Sequence, residues 1–213
     1  MLNNIKYHSP AEIEKHSFEI ITQSLGDKKF SSPQEESIIK RVIHTTADFD
    51  YADTIVITKN AFESAVNAIQ NGCTIITDTT MAMAGINKRV LESYGGSCKC
   101  FITDEDIMKT AKEKNTTRSC AAIDKAILDK NNQIFVIGNA PTALIRLYEL
   151  VKENKVSPAL VVGVPVGFVN VEESKELFMT TNIPYIIAKG RKGGSNVAAA
   201  IINAILYHMN GKQ

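Results

Sequence analysis

The sequence has almost no net charge, because its 213 residues include 24 lysines and arginines against 23 aspartates and glutamates. Proteins that bind duplex nucleic acid or anionic membranes normally carry a clear positive excess, so this balance argues against both classes. Long hydrophobic runs are also missing. The longest, at 159–169, is too short and too interrupted to span a bilayer, and the first residues lack the apolar core of a signal peptide. We therefore expect a cytoplasmic protein with no nucleic-acid or membrane partner.

Motifs for a nucleotide cofactor or a metal are missing as well. The sequence contains neither the P-loop pattern G-x-x-x-x-G-K-[ST] nor the dinucleotide pattern G-x-G-x-x-G. Its four cysteines do not form the C-x-x-C pairs of zinc or thioredoxin sites. Cys98 and Cys100 are two residues apart, so in a strand their side chains would point to the same face of the sheet. We expect these thiols to be core residues, and we expect no metal site.

Short, apolar, β-branched runs alternate with helix-like patterns along the chain. The runs predict strands at 54–58, 73–77, 134–137, 159–163 and 184–187, with a weaker candidate at 98–102. Periodic stretches predict helices at 10–25, 33–46, 60–71, 104–114, 118–129, 141–153, 171–180 and 195–208. Such alternation is typical of a mainly parallel sheet with helices on both faces. With 44% hydrophobic residues, 1–213 can form a single α/β domain.

The loops that follow the predicted strands are where we expect the ligand. Segments 138–141 and 163–167 follow two adjacent apolar runs, and segments 78–81 and 189–195 follow two others. The carboxyl ends of parallel strands meet at one edge of a sheet, and open α/β sheets bind their ligands there. Helices that begin at this edge would present their N-termini, which favour anions, to the ligand.

Two features of the sequence could carry chemistry, and each also has a simpler interpretation. The turn at 190–195 is basic, rich in glycine and followed by a helix pattern, so it could hold a carboxylate or phosphate or could be a solvated turn. His44 ends an amphipathic run and precedes Thr45, Thr46 and Asp48, so it could be a proton carrier oriented by these neighbours. The alternative is a histidine that caps helix carbonyls.

Ser17 and Arg118 are unusual for their positions. The Ser17 hydroxyl interrupts the inward face of the first helix, where it could point into a pocket or donate back to a helix carbonyl. Arg118 falls at a predicted helix start, with Thr116 or Thr117 as the cap, and a cation there opposes the helix dipole. Its partner could be a ligand carboxylate or a carboxylate of the protein surface.

Together these segments resemble the precorrin-8X methylmutase family of corrin-ring biosynthesis, which includes the cobalt-precorrin-8 methylmutases. The resemblance covers nearly the whole chain. It rests on Ser17-Phe18, Val42-Ile43-His44, 78–85, Asn115, Thr117-Arg118-Ser119, GNAPTAL at 138–144, PVGFV at 165–169, Glu173-Ser174-Lys175, Gly190-Arg191 and Gly193-Gly194-Ser195. The GNAPTAL and PVGFV elements are the most specific. Two departures are mild: Ala47 replaces an expected glycine, and Asn87 stands where a threonine can occur.

The resemblance implies an isomerase that moves a methyl group from ring carbon 11 to ring carbon 12 of the corrin macrocycle. The product would be hydrogenobyrinic acid, or cobyrinic acid when cobalt is bound. The resemblance also implies that His44 is the proton donor and acceptor and that the protein is a homodimer without a separate cofactor. The residues expected to bind the substrate, a tetrapyrrole polycarboxylate, are Ser17, Thr45, Arg118, Asn139, Ala140, Pro141, Val166, Gly193, Gly194 and Ser195.

The chemistry of such a substrate fits the predicted edge of the sheet. A flat, largely apolar macrocycle needs an apolar slot, for which we expect Ala140, Pro141, Val164, Pro165 and Val166. Helix N-termini, each contributing about 0.3–1 kcal/mol per anion, could hold its carboxylates without a strong net charge. Two other functions stay open from the sequence: an α/β enzyme that binds a phosphate ligand at 190–195, and a non-catalytic corrinoid carrier.

Overall fold

A computed structural model gives the arrangement of residues 9–211, so the first eight residues, which we expect not to form a signal peptide, lie outside the described range. Within this range six strands form one sheet in the order β1-β6-β5-β4-β2-β3. The strands are β1 Ile55–Ile57, β2 Thr74–Thr77, β3 Ser97–Lys99, β4 Asn132–Ile137, β5 Leu160–Gly163 and β6 Tyr185–Ala188. Neighbouring strands are parallel except β1 with β6. The mainly parallel α/β fold is confirmed, while the single-domain extent of 1–213 stays a prediction.

Eight helices of the described range match the sequence patterns, and three shorter ones were not predicted. They are α1 Pro10–Leu25, α2 Pro33–Thr46, α3 Tyr51–Thr54, α4 Ala61–Gln70, α5 Thr80–Gly85, α6 Lys88–Ser93, α7 Glu105–Glu113, α8 Arg118–Ala126, α9 Pro141–Lys152, α10 Val171–Met179 and α11 Ser195–Met209. The sequence patterns miss α3, α5 and α6, which are too short to show a helical period. Between residues 9 and 211 no helix has the length and apolar character needed to cross a membrane.

Helices cover both faces of the sheet, as predicted. Successive residues of a strand point to opposite faces. Ile134 and Val136 of β4 therefore join one core with the buried residues of α2, α4 and α11. Phe135 and Ile137 join a second core with α9 and α10. The central strands are buried on both faces, which explains why they read as unbroken apolar runs.

Strands β2, β4, β5 and β6 end at the same edge of the sheet, which we call the rim. Strand β1 runs in the opposite direction and begins at the rim, because Ile55 pairs with Ala188 at the end of β6. The loop 47–50, which follows α2, is consequently at the rim as well. Because β1, the outermost strand, is antiparallel to its neighbour, the end of α2 lies close to the loops that we expect to bind the ligand.

Two of the cysteines, Cys73 and Cys98, belong to the first core, whereas Cys100 and Cys120 are half-buried outside the core clusters. Cys98 in β3 packs against the first core, and Cys100 follows the end of that strand. Burial raises the pKa of the Cys98 thiol to about 12 and that of Cys73 to about 11. In the described part of the chain, no group of three or more His, Cys, Asp or Glu side chains is arranged to hold a metal ion.

Candidate active site

Side-chain contacts join the loops of the rim to one another. Lys192 Nζ lies 2.6 Å from a carboxylate oxygen of Asp48 and 2.6 Å from one of Asp50, both in or beside the loop after α2. The hydroxyl of Ser195, the first residue of α11, is 2.7 Å from that of Thr79, which precedes α5. The end of α2, the basic turn 189–195 and the start of α5 are therefore one connected surface.

A buried carboxylate organises the loop after β4. Asp78 follows β2 and is only 5% exposed. Its oxygens accept hydrogen bonds from the backbone N–H groups of Gly138 at 2.8 Å, Asn139 at 2.8 Å and Ala140 at 2.7 Å. Burial raises the pKa of the Asp78 carboxyl, and the three N–H donors oppose that shift because they favour the charged form. The loop that leads into α9 is thus built around an internal anion.

This arrangement corrects the expectation that the start of α9 binds substrate carboxylates. Asp78 already occupies the three N–H groups that precede the helix. Ala140, a predicted substrate contact, is buried and packs in the second core. Its N–H and its side chain are both engaged, so it supports the loop from inside rather than facing a ligand.

The predicted apolar slot is corrected in part. Val164 is fully buried in the first core, and Pro165 is buried beside it. Both lie directly after β5, where the chain is still covered by helices on each face. Val166 is exposed and Pro141 is half-buried, so these two of the expected slot residues are accessible.

The basic turn is fixed in place by Lys175 of α10. This lysine is fully buried, and its Nζ donates hydrogen bonds to the carbonyls of Gly190 at 2.6 Å and Lys192 at 2.8 Å. Burial lowers the pKa of Lys175 to about 8. At Gly193 a Cβ would lie 2.1 Å from the carbonyl oxygen of Val164, so only glycine fits. The turn is therefore held in place at the rim, while Lys189, Arg191 and Lys192 are exposed to solvent. Anion binding by this turn stays a prediction.

His44 lies in the last turn of α2, and its side chain is exposed. The imidazole stacks on the ring of Phe18 in α1, with 5.1 Å between the ring centroids and 10° between the planes. The guanidinium of Arg41 lies 4.6 Å from the centroid of the same phenyl ring. The imidazole is thus held by an aromatic contact and is open to solvent at the rim side of α2.

The groups expected to orient His44 are engaged elsewhere. One carboxylate oxygen of Asp48 accepts a hydrogen bond from Lys192 Nζ, and the other accepts one from the N–H of Asp50. The Thr45 hydroxyl donates to the carbonyl of Arg41, and the Thr46 hydroxyl donates to that of Val42. The prediction that Asp48 or a neighbouring hydroxyl orients the imidazole is therefore wrong. Short polar residues at a helix end bond readily to the preceding turn, and they do so here.

Ser17 takes the simpler of the two roles that the sequence left open for its hydroxyl. It is half-buried and donates a 2.7 Å hydrogen bond to the carbonyl of Ile13 one turn earlier. The hydroxyl oxygen can still accept a hydrogen bond. Because Ser17 precedes Phe18, it lies beside the aromatic contact that holds His44.

A cleft of about 350 Å³ opens between the loops after β2 and β4 and the start of α8, and its lining includes Thr79, Arg118 and Asn139. Thr117 caps α8 by accepting a hydrogen bond from the N–H of Cys120, as predicted. Arg118 is exposed, and no carboxylate within residues 9–211 forms a salt bridge with it. The surface ion pair considered from the sequence is therefore absent from this range. His44 does not line the cleft, because it lies toward the β1–β6 side of the rim.

The fold and the site define a class: a mainly parallel α/β protein whose rim carries the exposed His44, a basic turn held by Lys175, and a cleft lined by Arg118. A family model for precorrin-8X methylmutase matches residues 12–208, and the chain belongs to that family. A cobalt-precorrin-8 methylmutase from Salmonella typhimurium is 51% identical over 205 residues, which are 94% of this chain and 96% of the relative. A precorrin-8X methylmutase from Pseudomonas aeruginosa is 35% identical over 172 residues, covering 80% and 82%.

A solved structure gives the same result. The crystal structure of precorrin-8x methyl mutase from Thermus thermophilus superposes with a TM-score of 0.85 at 35% identity, and the match covers 94% of this chain and 99% of that one. The resemblance seen in the sequence is confirmed. The protein is an enzyme of an isomerase family of cobalamin biosynthesis.

Sequence reasoning placed Asp78 and Lys175 within the resemblance but gave neither a role. The position of each residue in the sequence nevertheless gives a sign of its role. Asp78 follows an apolar strand run directly, and Lys175 occupies an inward position of α10 beside Val171 and Phe178. A charged side chain at an inward position requires polar partners inside the fold. Such a position therefore indicates hydrogen bonds between that side chain and buried backbone groups.

Proposed function

We propose that the enzyme converts cobalt-precorrin-8 to cobyrinic acid by moving a methyl group from ring carbon 11 to ring carbon 12, with His44 as the proton donor and acceptor. The observation that carries this proposal is the connected rim, which joins the helix end bearing His44 to the basic turn and to the cleft of Arg118. The cobalt-bound ring is favoured over the cobalt-free one because the relative named for the cobalt substrate is 51% identical, against 35% for the other.

The chemistry requires one group that can both give and take a proton. Protonation of the conjugated ring makes ring carbon 12 more electrophilic. The bond from the methyl group to ring carbon 11 then breaks as the bond to ring carbon 12 forms, and loss of the proton restores the conjugation. Histidine exchanges protons near neutral pH, and general acid–base catalysis typically contributes about 10²–10⁴ in rate. The stack on Phe18 limits the orientations of the imidazole, which favours proton transfer in one geometry.

Binding of the ring would use both ends of the rim. The cleft of about 350 Å³ is small for a whole macrocycle, so we propose that it takes one carboxylate arm at Arg118 while the ring lies across the rim toward His44. The N–H groups in the first turn of α11 have no acceptor within the helix and could meet a second arm. The proposed substrate contacts are Ser17, Thr45, Arg118, Asn139, Pro141, Val166, Gly193, Gly194 and Ser195.

The substitution His44→Ala tests the assignment. We expect turnover of cobalt-precorrin-8, followed by absorption spectroscopy, to fall by about 10²–10⁴, while the variant still binds the product ring. The matched control is His208→Ala, because His208 is exposed at the far end of α11. Wild-type turnover in His44→Ala would remove this residue from the mechanism. Ring binding without any turnover by the wild-type protein would instead favour a carrier.

We further propose that the protein is a cytoplasmic homodimer. The support for the dimer is a set of exposed apolar side chains near the rim, namely Met81, Val166, Phe168 and Val169, which are 45–84% exposed. A second copy packed there would cover these side chains and enclose a ring that the cleft alone does not cover.

A further inference from the structure

We propose that Asp78 is a positioning residue of the active site: its carboxylate fills an anion site inside the loop after β4 and so fixes Asn139 and the start of α9 against the substrate. The inference rests on the proposed function, because it takes the loop as part of the ring-binding surface. Asp78 borders the cleft together with Asn139 and Arg118. Both of its oxygens accept hydrogen bonds from backbone N–H groups of residues 138–140, so it acts through the loop.

The loop depends on this carboxylate because nothing else in the described residues satisfies the same donors. Three consecutive N–H groups converge on the carboxylate oxygens at 2.7–2.8 Å, the arrangement by which backbone nests hold bound anions. No lysine, arginine or histidine in the range 9–211 forms a salt bridge with Asp78. Its charge is therefore stabilised mainly by the N–H groups of the loop, and without it the N–H groups of Gly138 and Ala140 would be buried and unpaired.

The loop has little freedom to find other partners. A Cβ on Gly138 would lie 2.9 Å from the Cα of Ser195, so the loop is packed closely against the start of α11. Ser195 in turn is paired with Thr79, and Asn139 shares the lining of the cleft with Arg118. A shift of the loop would therefore move residues on both sides of the cleft. The internal carboxylate also occupies the N–H groups that a substrate carboxylate would otherwise meet in this loop, so within the cleft such a carboxylate would meet Arg118.

Chemical rescue with formate tests the proposal, because formate is a free carboxylate that can enter the space left by Asp78→Ala. We expect this variant to have a KM for cobalt-precorrin-8 raised roughly tenfold or more, with a smaller change in kcat. Sodium formate should lower the KM and raise the melting temperature, relative to sodium chloride at equal ionic strength. Asp106→Ala is the matched control: it removes an exposed carboxylate paired with Lys125, so formate should leave it unchanged.

Asp78→Asn separates charge from shape. Its amide keeps the volume of the carboxyl, but the NH₂ group faces donors and leaves no space for formate, so a raised KM without rescue is expected. An unchanged KM in Asp78→Asn, or no effect of formate on the KM and melting temperature of Asp78→Ala, would overturn the proposal. If Asp78→Ala does not fold even with formate, the test uses the KM values of the variants that keep a polar side chain, Asp78→Asn and Asp78→Glu. A raised KM in Asp78→Asn then supports the proposal, and an unchanged KM overturns it. Formate-dependent melting needs no turnover, so a failure of the proposed reaction is distinguishable from a failure of this inference.

Discussion

Ala47 occupies a backbone conformation that suits a different residue. It ends α2 in the left-handed region, with φ of 55°, and its N–H donates a 2.7 Å hydrogen bond to the carbonyl of Ile43. A side chain costs about 1–2 kcal/mol in this region, which is why glycine is the usual residue at such a helix end. The sequence resemblance predicts a glycine at this position, and the backbone gives the physical reason.

The substitution Ala47→Gly should therefore stabilise the protein. The relief of about 1–2 kcal/mol is reduced by the larger entropy loss of glycine, about 0.5–1 kcal/mol, so we expect a net gain of up to about 1.5 kcal/mol in the free energy of unfolding. Urea denaturation measures it. The control Ala11→Gly, at an exposed helical position of α1 with ordinary dihedral angles, should lower the same free energy. A loss of stability in Ala47→Gly would contradict this account.

At the residue scale, the sequence predicts positions better than partners. His44 and Arg118 stand out because of their places at helix ends, and the structure puts them at the end of α2 and the start of α8. The role expected for Asp48 is wrong because its partner, Lys192, is 144 residues away in the chain. Local patterns cannot show which distant charge will meet a carboxylate after folding.

At the element scale, the buried Lys175 makes the contact between α10 and the basic turn sensitive to pH. Burial lowers its pKa to about 8 in the folded protein, against about 10.4 for an unfolded lysine. Below pH 8 Lys175 is protonated in both the folded and the unfolded protein, and the full cost of burying its charge lowers the stability of the folded state. Between these two pKa values the unfolded chain binds more protons than the folded one, so the contribution of Lys175 to stability rises with pH.

We expect Lys175→Met to remove this rise. Urea midpoints measured from pH 7 to about pH 10 should give a stability difference, wild type minus variant, that increases with pH above about 8. Lys189→Met, which changes an exposed lysine of the same turn, should show no such increase. Equal pH profiles for wild type and Lys175→Met would mean that the buried amine does not lose its proton in this interval.

The arrangement of the elements is predicted less completely than their existence. The apolar run at 54–58 predicts β1, but its residues give no sign that it pairs antiparallel with β6. That pairing is decided by the course of the chain through α2 and α3, and it determines that His44 reaches the rim. Likewise, the start of α9 looks like an anion site until the fold places Asp78 beneath it.

At the scale of the whole molecule, the balanced charge and the exposed apolar side chains point to association with another surface. Phe168 is 84% exposed and Val169 is 75% exposed, and both follow β5 at the rim. The guanidinium of Arg191 lies 5.7 Å from the centroid of the Phe168 ring, so this apolar patch adjoins the basic turn. Exposed apolar surface beside a ligand-binding edge is typical of an interaction site.

If a second copy of the chain covers this patch, a charge at its centre should weaken the dimer. We expect sedimentation equilibrium of the wild-type protein to give a mass near twice 23.3 kDa. Val169→Asp should raise the dissociation constant of the dimer roughly tenfold or more, since a carboxylate would be buried without a partner. Leu128→Asp is the matched control, because Leu128 is 81% exposed but follows α8 at the opposite edge of the sheet. A monomeric wild-type protein, or equal dissociation in both variants, would rule out an interface at Val169.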